Sequence, residues 1–195
     1  RPAVRFDGTD DYLEVADSDS LSIAGDLTSL FVVKMDDFAT FRAVWAKTRA
    51  NLPAPTDFYT LPGSGVPRLY RGNAEGSLGF ADGGTPWAAG SWLLAGFSAS
   101  GTGVAHYLNG NTTATGVIPA TLADQDTPLR IGTRDDFVTV LKGDLAELLI
   151  YDASLSAADL QAAQRYLAAK YRIGIITLTN AAPAVTLTAP APGAE

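Results

Sequence analysis

Cysteine is absent from the 195-residue chain. That excludes a disulfide framework, a thiolate metal site and a cysteine nucleophile. Histidine occurs once, at His106, so no multi-histidine metal site can form. No uninterrupted apolar run approaches the roughly 20 residues a helix needs to cross a bilayer. Positive charge is scarce: 14 Lys and Arg stand against 21 Asp and Glu, for a formal charge of −7. Without a basic stripe there is no electrostatic footprint for a phosphate backbone. Nucleic-acid binding, membrane insertion and thiol chemistry are set aside on these grounds.

What is present points to a folded module rich in short strands. Hydrophobic residues make up 47% and charged residues 18%, enough to bury a sizeable core. The 19 glycines and 11 prolines punctuate the chain at a density that suits many strands and tight turns. Residues 29–35, Ser-Leu-Phe-Val-Val-Lys-Met, form a nearly continuous apolar run, as expected of a central strand buried on both faces. About a dozen such runs recur between Gly, Asp, Asn and Pro clusters, which predicts an all-β antiparallel sandwich or barrel. Asn109-Gly110 is the strongest hairpin signal, because both central residues of a type I′ turn need positive φ.

A single helix breaks the β pattern. Ser156 is placed as its N-cap, with Asp159 three residues on, and Leu160, Ala163, Leu167 and Tyr171 recur as one apolar stripe. Gly174 is the expected stop, and the helix is expected to cover an edge or end of the sheets. The chain opens at Arg1 and closes on a Pro/Ala/Thr-rich stretch over 180–195, of linker composition. We therefore expect a module taken from a longer protein.

Several segments, in order, carry a resemblance. Phe6-Asp7-Gly8-Thr9-Asp10-Asp11-Tyr12-Leu13-Glu14-Val15 resembles the opening strand pair of the laminin-G-like, concanavalin A-like jelly-roll family. Ser91-Trp92-Leu93-Leu94-Ala95 and His106-Tyr107-Leu108-Asn109-Gly110 resemble its tryptophan strand and its Tyr-x-Asn-Gly hairpin. Leu129-Arg130-Ile131-Gly132 and the run 143–152 resemble its last strands, and residues 154–171 the helix that follows in the bacterial branch. The resemblance implies a two-sheet antiparallel jelly-roll sandwich with one C-terminal amphipathic helix. It places this domain over 1–178, with 179–195 a linker and the start of an immunoglobulin-like module. It further implies a monomeric, non-catalytic, carbohydrate-binding module of a secreted or cell-surface multidomain bacterial protein. The competing readings are a structural spacer or protein-binding adhesin module, and a glycan-cleaving enzyme with an unrecognised carboxylate pair.

Candidate site residues follow from sugar chemistry. Rings stack on the apolar faces of pyranoses, while Arg, Asn and Asp bond the hydroxyls. The expected carbohydrate contacts are Trp45, Tyr59, Tyr70, Arg71, Trp87, Arg134 and Asp135, with Phe58 and Arg49 as further candidates. Trp87 is favoured because it follows the loop Gly83-Gly84-Thr85-Pro86. Trp92, heading an apolar strand, is assigned to the core, and Trp45 is left open between core and face. His106 is expected to be a partly exposed strand residue with no catalytic role. No even-spaced acidic pattern of the sandwich-glycanase type occurs. A structural calcium is expected where the first and last strands meet, held by Asp7 and Asp144, because calcium needs several oxygen ligands at once.

Overall fold

The computed structural model describes residues 2–48, 56–72, 78–119 and 126–174. Its elements run β1 (Val4–Asp7), β2 (Leu13–Val15), β3 (Leu27–Met35), β4 (Arg42–Lys47), β5 (Thr56–Thr60), β6 (Pro67–Gly72) and β7 (Leu78–Asp82). They continue as β8 (Leu93–Ser100), β9 (Gly103–Leu108), β10 (Asn111–Val117), β11 (Leu129–Ile131), β12 (Lys142–Tyr151) and α1 (Ala157–Tyr171). One sheet has the order β1-β12-β3-β8-β9-β10 and the other β2-β11-β4-β5-β6-β7. All pairings are antiparallel. This is the expected jelly-roll sandwich with a C-terminal helix. The expected linker and second-module segment at 179–195 lies outside the described residues.

Strand alternation builds the core between the sheets. Phe31, Val33 and Met35 of β3 face Trp45, Phe58 and Leu69 of the second sheet, with Phe97 beside them. The rings of Phe58 and Phe97 stack with centroids 5.2 Å apart, and Phe31 meets Phe58 edge-on, also at 5.2 Å. The Trp45 indole Nε1 donates to Ser29 Oγ at 3.0 Å, which satisfies its one polar atom in an apolar setting. Gly96 permits close strand packing: a Cβ there would lie 2.1 Å from the Ser29 carbonyl oxygen. Asn109 and Gly110 both adopt positive φ, at 49° and 85°, in the turn joining β9 to β10, as the dipeptide predicts.

The continuous apolar character of β3 has a structural counterpart on its other face. Leu30 and Val32, with Leu94 of β8, point away from the sandwich and are covered by Leu167 and Ala168 of α1, flanked by Leu160, Ala163 and Tyr171. The helix therefore lies on a sheet face, rather than at an edge or end as expected. A strand apolar on both sides needs a second cover, and the helical stripe supplies it. Ser156 caps α1, its side chain accepting from the Asp159 amide at 3.2 Å. The helix ends at Tyr171, three residues before the expected Gly174, and Arg172 after it takes the left-handed conformation (φ 58°). Ser156→Ala should cost about 1 kcal/mol, the worth of one N-cap bond. A urea unfolding midpoint indistinguishable from that of the parent would contradict it.

Candidate functional site

With α1 over the first sheet, the outer face of the second sheet carries no helix or strand among the described residues. What lies on it follows from parity. Trp45, Phe58, Leu69 and Ala81 point into the core, so their neighbours point out. Cross-strand register then aligns Glu14, Arg130, Ala46, Asp57, Tyr70 and Phe80 in one row spanning all six strands. A second row runs Ala43, Tyr59, Arg68 and Asp82.

Three arginines on this face are each held by a carboxylate beside an aromatic ring. Arg68 donates through Nε and Nη2 to the two Asp82 oxygens at 2.6 and 2.9 Å, and its guanidinium lies 3.9 Å from the centroid of the Phe80 ring. Arg130 donates through Nε to Glu14 at 3.0 Å and lies 5.1 Å from the Phe137 ring. Arg134 Nε is 2.6 Å from Asp57 Oδ2, with the Tyr59 ring 5.8 Å from its guanidinium. The Arg68–Asp82 and Arg130–Glu14 pairs are small in energy at the surface, and the cation–π contacts restrict the arginines further.

Asp57 differs from the other two carboxylates because it is fully buried. Neither of its oxygens is within reach of solvent, and neither receives an aligned hydrogen bond among the described residues. Desolvation raises its pKa to about 7, opposed by Arg134 and reinforced by the nearby Asp136 and Asp135. Asp136 organises the following turn, accepting from the amides of Val138 (3.0 Å) and Thr139 (2.9 Å) and from the Thr139 hydroxyl (2.8 Å). Phe137 is held there at φ 54°, an uncommon conformation for a bulky residue, with its ring half exposed and edge-on to Tyr12 at 5.5 Å.

The structure brings together four of the seven expected carbohydrate contacts. Tyr59, Tyr70 and Arg134 lie on this face, and Asp135, which accepts from Thr48 Oγ1 at 2.8 Å, borders it. The other three are corrected. Trp45 and Trp87 are 3% and 4% exposed and belong to the core. Trp87 is drawn inward because its loop folds over the sandwich end, its amide donating to the Gly65 carbonyl, its ring 5.9 Å from Phe31 and 6.1 Å from Phe58. Arg71 shares the parity of Leu69, so it points inward and is fully buried. Nη2 donates to the Gly25 carbonyl at 3.1 Å, and desolvation lowers its pKa to about 10. Phe58 is likewise core, and Arg49 lies outside the described residues.

Two further expectations are reversed. Trp92 is partly exposed, with the Lys34 ammonium 5.6 Å from its ring. His106 is buried rather than partly exposed: its Nε2 lies 2.9 Å from the Ala81 carbonyl, and desolvation lowers its pKa to about 4. The residues that sequence reasoning missed are Glu14, Asp57, Arg68, Phe80, Asp82, Arg130 and Phe137. Alternation about Leu69 and Ala81 was the available signal for Arg68, Phe80 and Asp82.

The expected calcium pair is only half suited to a cation. β1 and β12 do meet, but Asp144 lies 2.7 Å from Lys34 Nζ and 3.4 Å from Arg5 Nη1, so its carboxylate is already neutralised. Asp7 instead converges with Asp10 and Asp11, with one oxygen of each within 4.8 Å of the others. Two of these carboxylates also accept within the turn, Asp7 from the Thr9 amide at 2.7 Å and Asp11 from the Asp7 amide at 2.9 Å. Three carboxylates of one turn suit calcium chemically; the Asp144 side does not.

Comparison with known proteins bears on the fold. Solved structures of similar shape include the carbohydrate-binding module CBM40 of the Ruminococcus gnavus IT-sialidase, solved with α2,3-sialyllactose. It is 14% identical, covers 84% of this chain and 97% of its own, and gives a TM-score of 0.65. The binding domain of Paraclostridial Mosquitocidal Protein 1 is 12% identical over 85% of this chain and 43% of its own (TM-score 0.67). A SAP-like pentraxin from Limulus polyphemus is 17% identical over 72% and 70% (TM-score 0.56). At these identities the likeness is one of fold. No curated protein is similar in sequence to the chain. The model of the concanavalin A-like lectin/glucanases superfamily matches residues 7–161, and the chain belongs to that superfamily.

Proposed function

We propose that the chain is a non-catalytic glycan-binding module, working in an extracellular setting as part of a larger protein. The observation that carries this reading is the second sheet's outer face. It is left uncovered by any described helix or strand, and it sets the half-buried rings of Tyr59 and Tyr70 beside Arg68 and Arg134. Such a surface offers rings for the apolar faces of sugars and charged hydrogen-bonding groups for their hydroxyls. The CBM40 neighbour, solved with a sialylated sugar, supports the reading by analogy of fold, a weaker warrant than the site itself.

Catalysis finds less support. Asp57 has the raised pKa a general acid requires, but its oxygens are out of reach of solvent and Arg134 lies against them. A spacer role would predict a featureless face. That agrees with the burial of Trp87 but not with the rings and arginines that remain outside.

The test is a glycan and polysaccharide screen run with calcium and with chelator. Tyr59→Ala and Tyr70→Ala are each expected to weaken binding about tenfold while leaving the fold intact. Silence across a broad panel would move the reading to a spacer or protein-docking module. For calcium, now proposed at Asp7, Asp10 and Asp11, chelator is expected to lower the melting temperature. An unchanged value would remove the metal.

A further inference from the structure

We propose that the free edge of β12 is a docking site for an extended peptide of alternating apolar and basic residues, which joins the first sheet as an added strand. The site lies on the other sheet from the proposed glycan face and does not depend on that reading.

The edge is open because β1 is too short to cover it. β12 runs ten residues, Lys142–Tyr151, but β1 pairs only with the stretch from Lys142 to Leu145. Pro2 lies two residues before β1 and has no N–H to give to a ladder, so the pairing stops there. Among the described residues no other strand takes over. The Tyr171 hydroxyl donates to the Ala146 carbonyl at 3.0 Å, so the open stretch begins at Glu147. On its other side this stretch stays paired with β3 as far as Tyr151. Burial records the same boundary. Leu145 is buried where β1 lies beside it, whereas Leu148 and Ile150, which also face the core, are only partly buried beyond it. Such an edge leaves alternate backbone N–H and C=O groups without a strand partner, and an added strand pairs with them.

The two faces of the edge select the partner's side chains. On the inner face the added strand would lie next to Leu148 and Ile150, so its residues there must be apolar. On the outer face a groove of about 530 Å³ separates β12 from α1, with Leu149, Tyr151, Leu155, Ala162 and Tyr166 along it. Its carboxylates are Glu147 and Asp159, and Asp152 follows directly after the strand. Glu147 is already held by Lys170 at 2.8 Å and by the Tyr166 hydroxyl at 3.2 Å. Asp159 is bonded by the neutral Ser156 hydroxyl, and neither it nor Asp152 has an ion pair among the described residues. Two uncompensated carboxylates beside apolar and aromatic surface suit Lys or Arg, whose stems lie along the groove while the charge reaches its rim. A second copy of this chain fits worse, because it would bring another Asp152 and Asp159 to the same acidic edge.

The experiment titrates the full chain with the labelled peptide Val-Lys-Val-Arg-Val-Lys-Val, read by fluorescence anisotropy. One comparison peptide carries Glu at the three basic positions. The other, Val-Lys-Pro-Arg-Pro-Lys-Val, has equal charge but cannot complete a ladder. Saturable binding of the first peptide is expected, with slower hydrogen exchange at the amides of residues 147–151. Both comparison peptides should bind at least about tenfold more weakly. Ala162→Arg, at an exposed position of α1, puts bulk and a like charge into the groove and should also cost about tenfold. Asp152→Asn combined with Asp159→Asn should cost about fivefold. Melting curves check that these surface substitutions leave the fold in place. Absence of saturable binding, equal binding of the proline peptide, or no loss with Ala162→Arg would overturn the proposal. So would a concentration-dependent dimer that Ala162→Arg abolishes, because a second copy would then occupy the edge.

Discussion

Phe58→Ala is expected to destabilise the protein by about 3–5 kcal/mol, the range for removing a buried aromatic side chain. Among the described residues no other ring makes as many aromatic contacts. Phe58 stacks on Phe97 at 5.2 Å, meets Phe31 edge-on at 5.2 Å, and lies 6.1 Å from Trp87 and 6.0 Å from His106. These partners come from β3, β8, β9 and the loop before β8, so the cavity would open where both sheets and one sandwich end converge. Because the packing is built from rigid rings on paired strands, the site can collapse only partly. Against a typical total of about 5–15 kcal/mol the loss is severe. For a chain of this size it corresponds to a fall of roughly 10 °C or more in melting temperature. Phe80→Ala is the control: its ring is 53% exposed on the opposite side of the same sheet, and its removal should cost less than about 1 kcal/mol. Equal losses in the two variants would refute the assignment of Phe58 to the core and Phe80 to the outer face.

The second large effect concerns pH, where two buried groups should nearly cancel. Asp57 is raised from 3.8 to about 7 by desolvation, so between those values the folded state keeps a proton that the unfolded chain releases. Its contribution to stability therefore falls as pH rises from about 4 to 7. His106 is lowered from 6.5 to about 4, also by desolvation, so between those values the unfolded chain holds a proton that the folded state lacks. Its contribution rises over almost the same window. Each slope is about 1.4 kcal/mol per pH unit, and they oppose. The wild type should therefore show a nearly flat stability profile from about pH 4 to 6.5 as far as these two groups set it. Asp57→Asn should uncover the His106 slope, gaining about 3 kcal/mol of stability as pH rises across that window. His106→Gln should uncover the reverse. Urea unfolding at several pH values decides the matter; two variants that both keep a flat profile would show that neither group is desolvated as described.

The difference between what the sequence revealed and what it concealed is clearest at the aromatic residues. Secondary structure was legible because it is local. Asn109-Gly110 sits in its turn, Ser156 in its cap, and the stripe Leu160, Ala163, Leu167 and Tyr171 on one helical face. The three tryptophans were not legible, because a ring of that size suits either a core or a binding surface. Trp87, in a loop, was expected to face a ligand and is buried. Trp92, beside an apolar run, was expected in the core and is partly exposed. Arg71 and Tyr70 are adjacent, and parity sends only Tyr70 to the outer face. That parity was readable from Leu69 once Leu69 was known to point inward.

The sequence by itself determined the class of molecule. Strand spacing, one amphipathic helix and five ordered motifs specified a two-sheet jelly roll, and the nearly continuous apolar run of β3 already called for cover on both faces. Only the tertiary structure decided which sheet face the helix covers and which residues share the other. Glu14, Arg130, Asp57, Tyr70 and Phe80 come from five strands spread between residues 13 and 82 and, for β11, residues 129–131. Their alignment depends on the register of β2, β11, β4, β5, β6 and β7, in which β11 inserts between two strands from early in the chain. The physical reason is that hydrophobic alternation is a property of each strand alone, whereas a binding row is made by non-local backbone pairing.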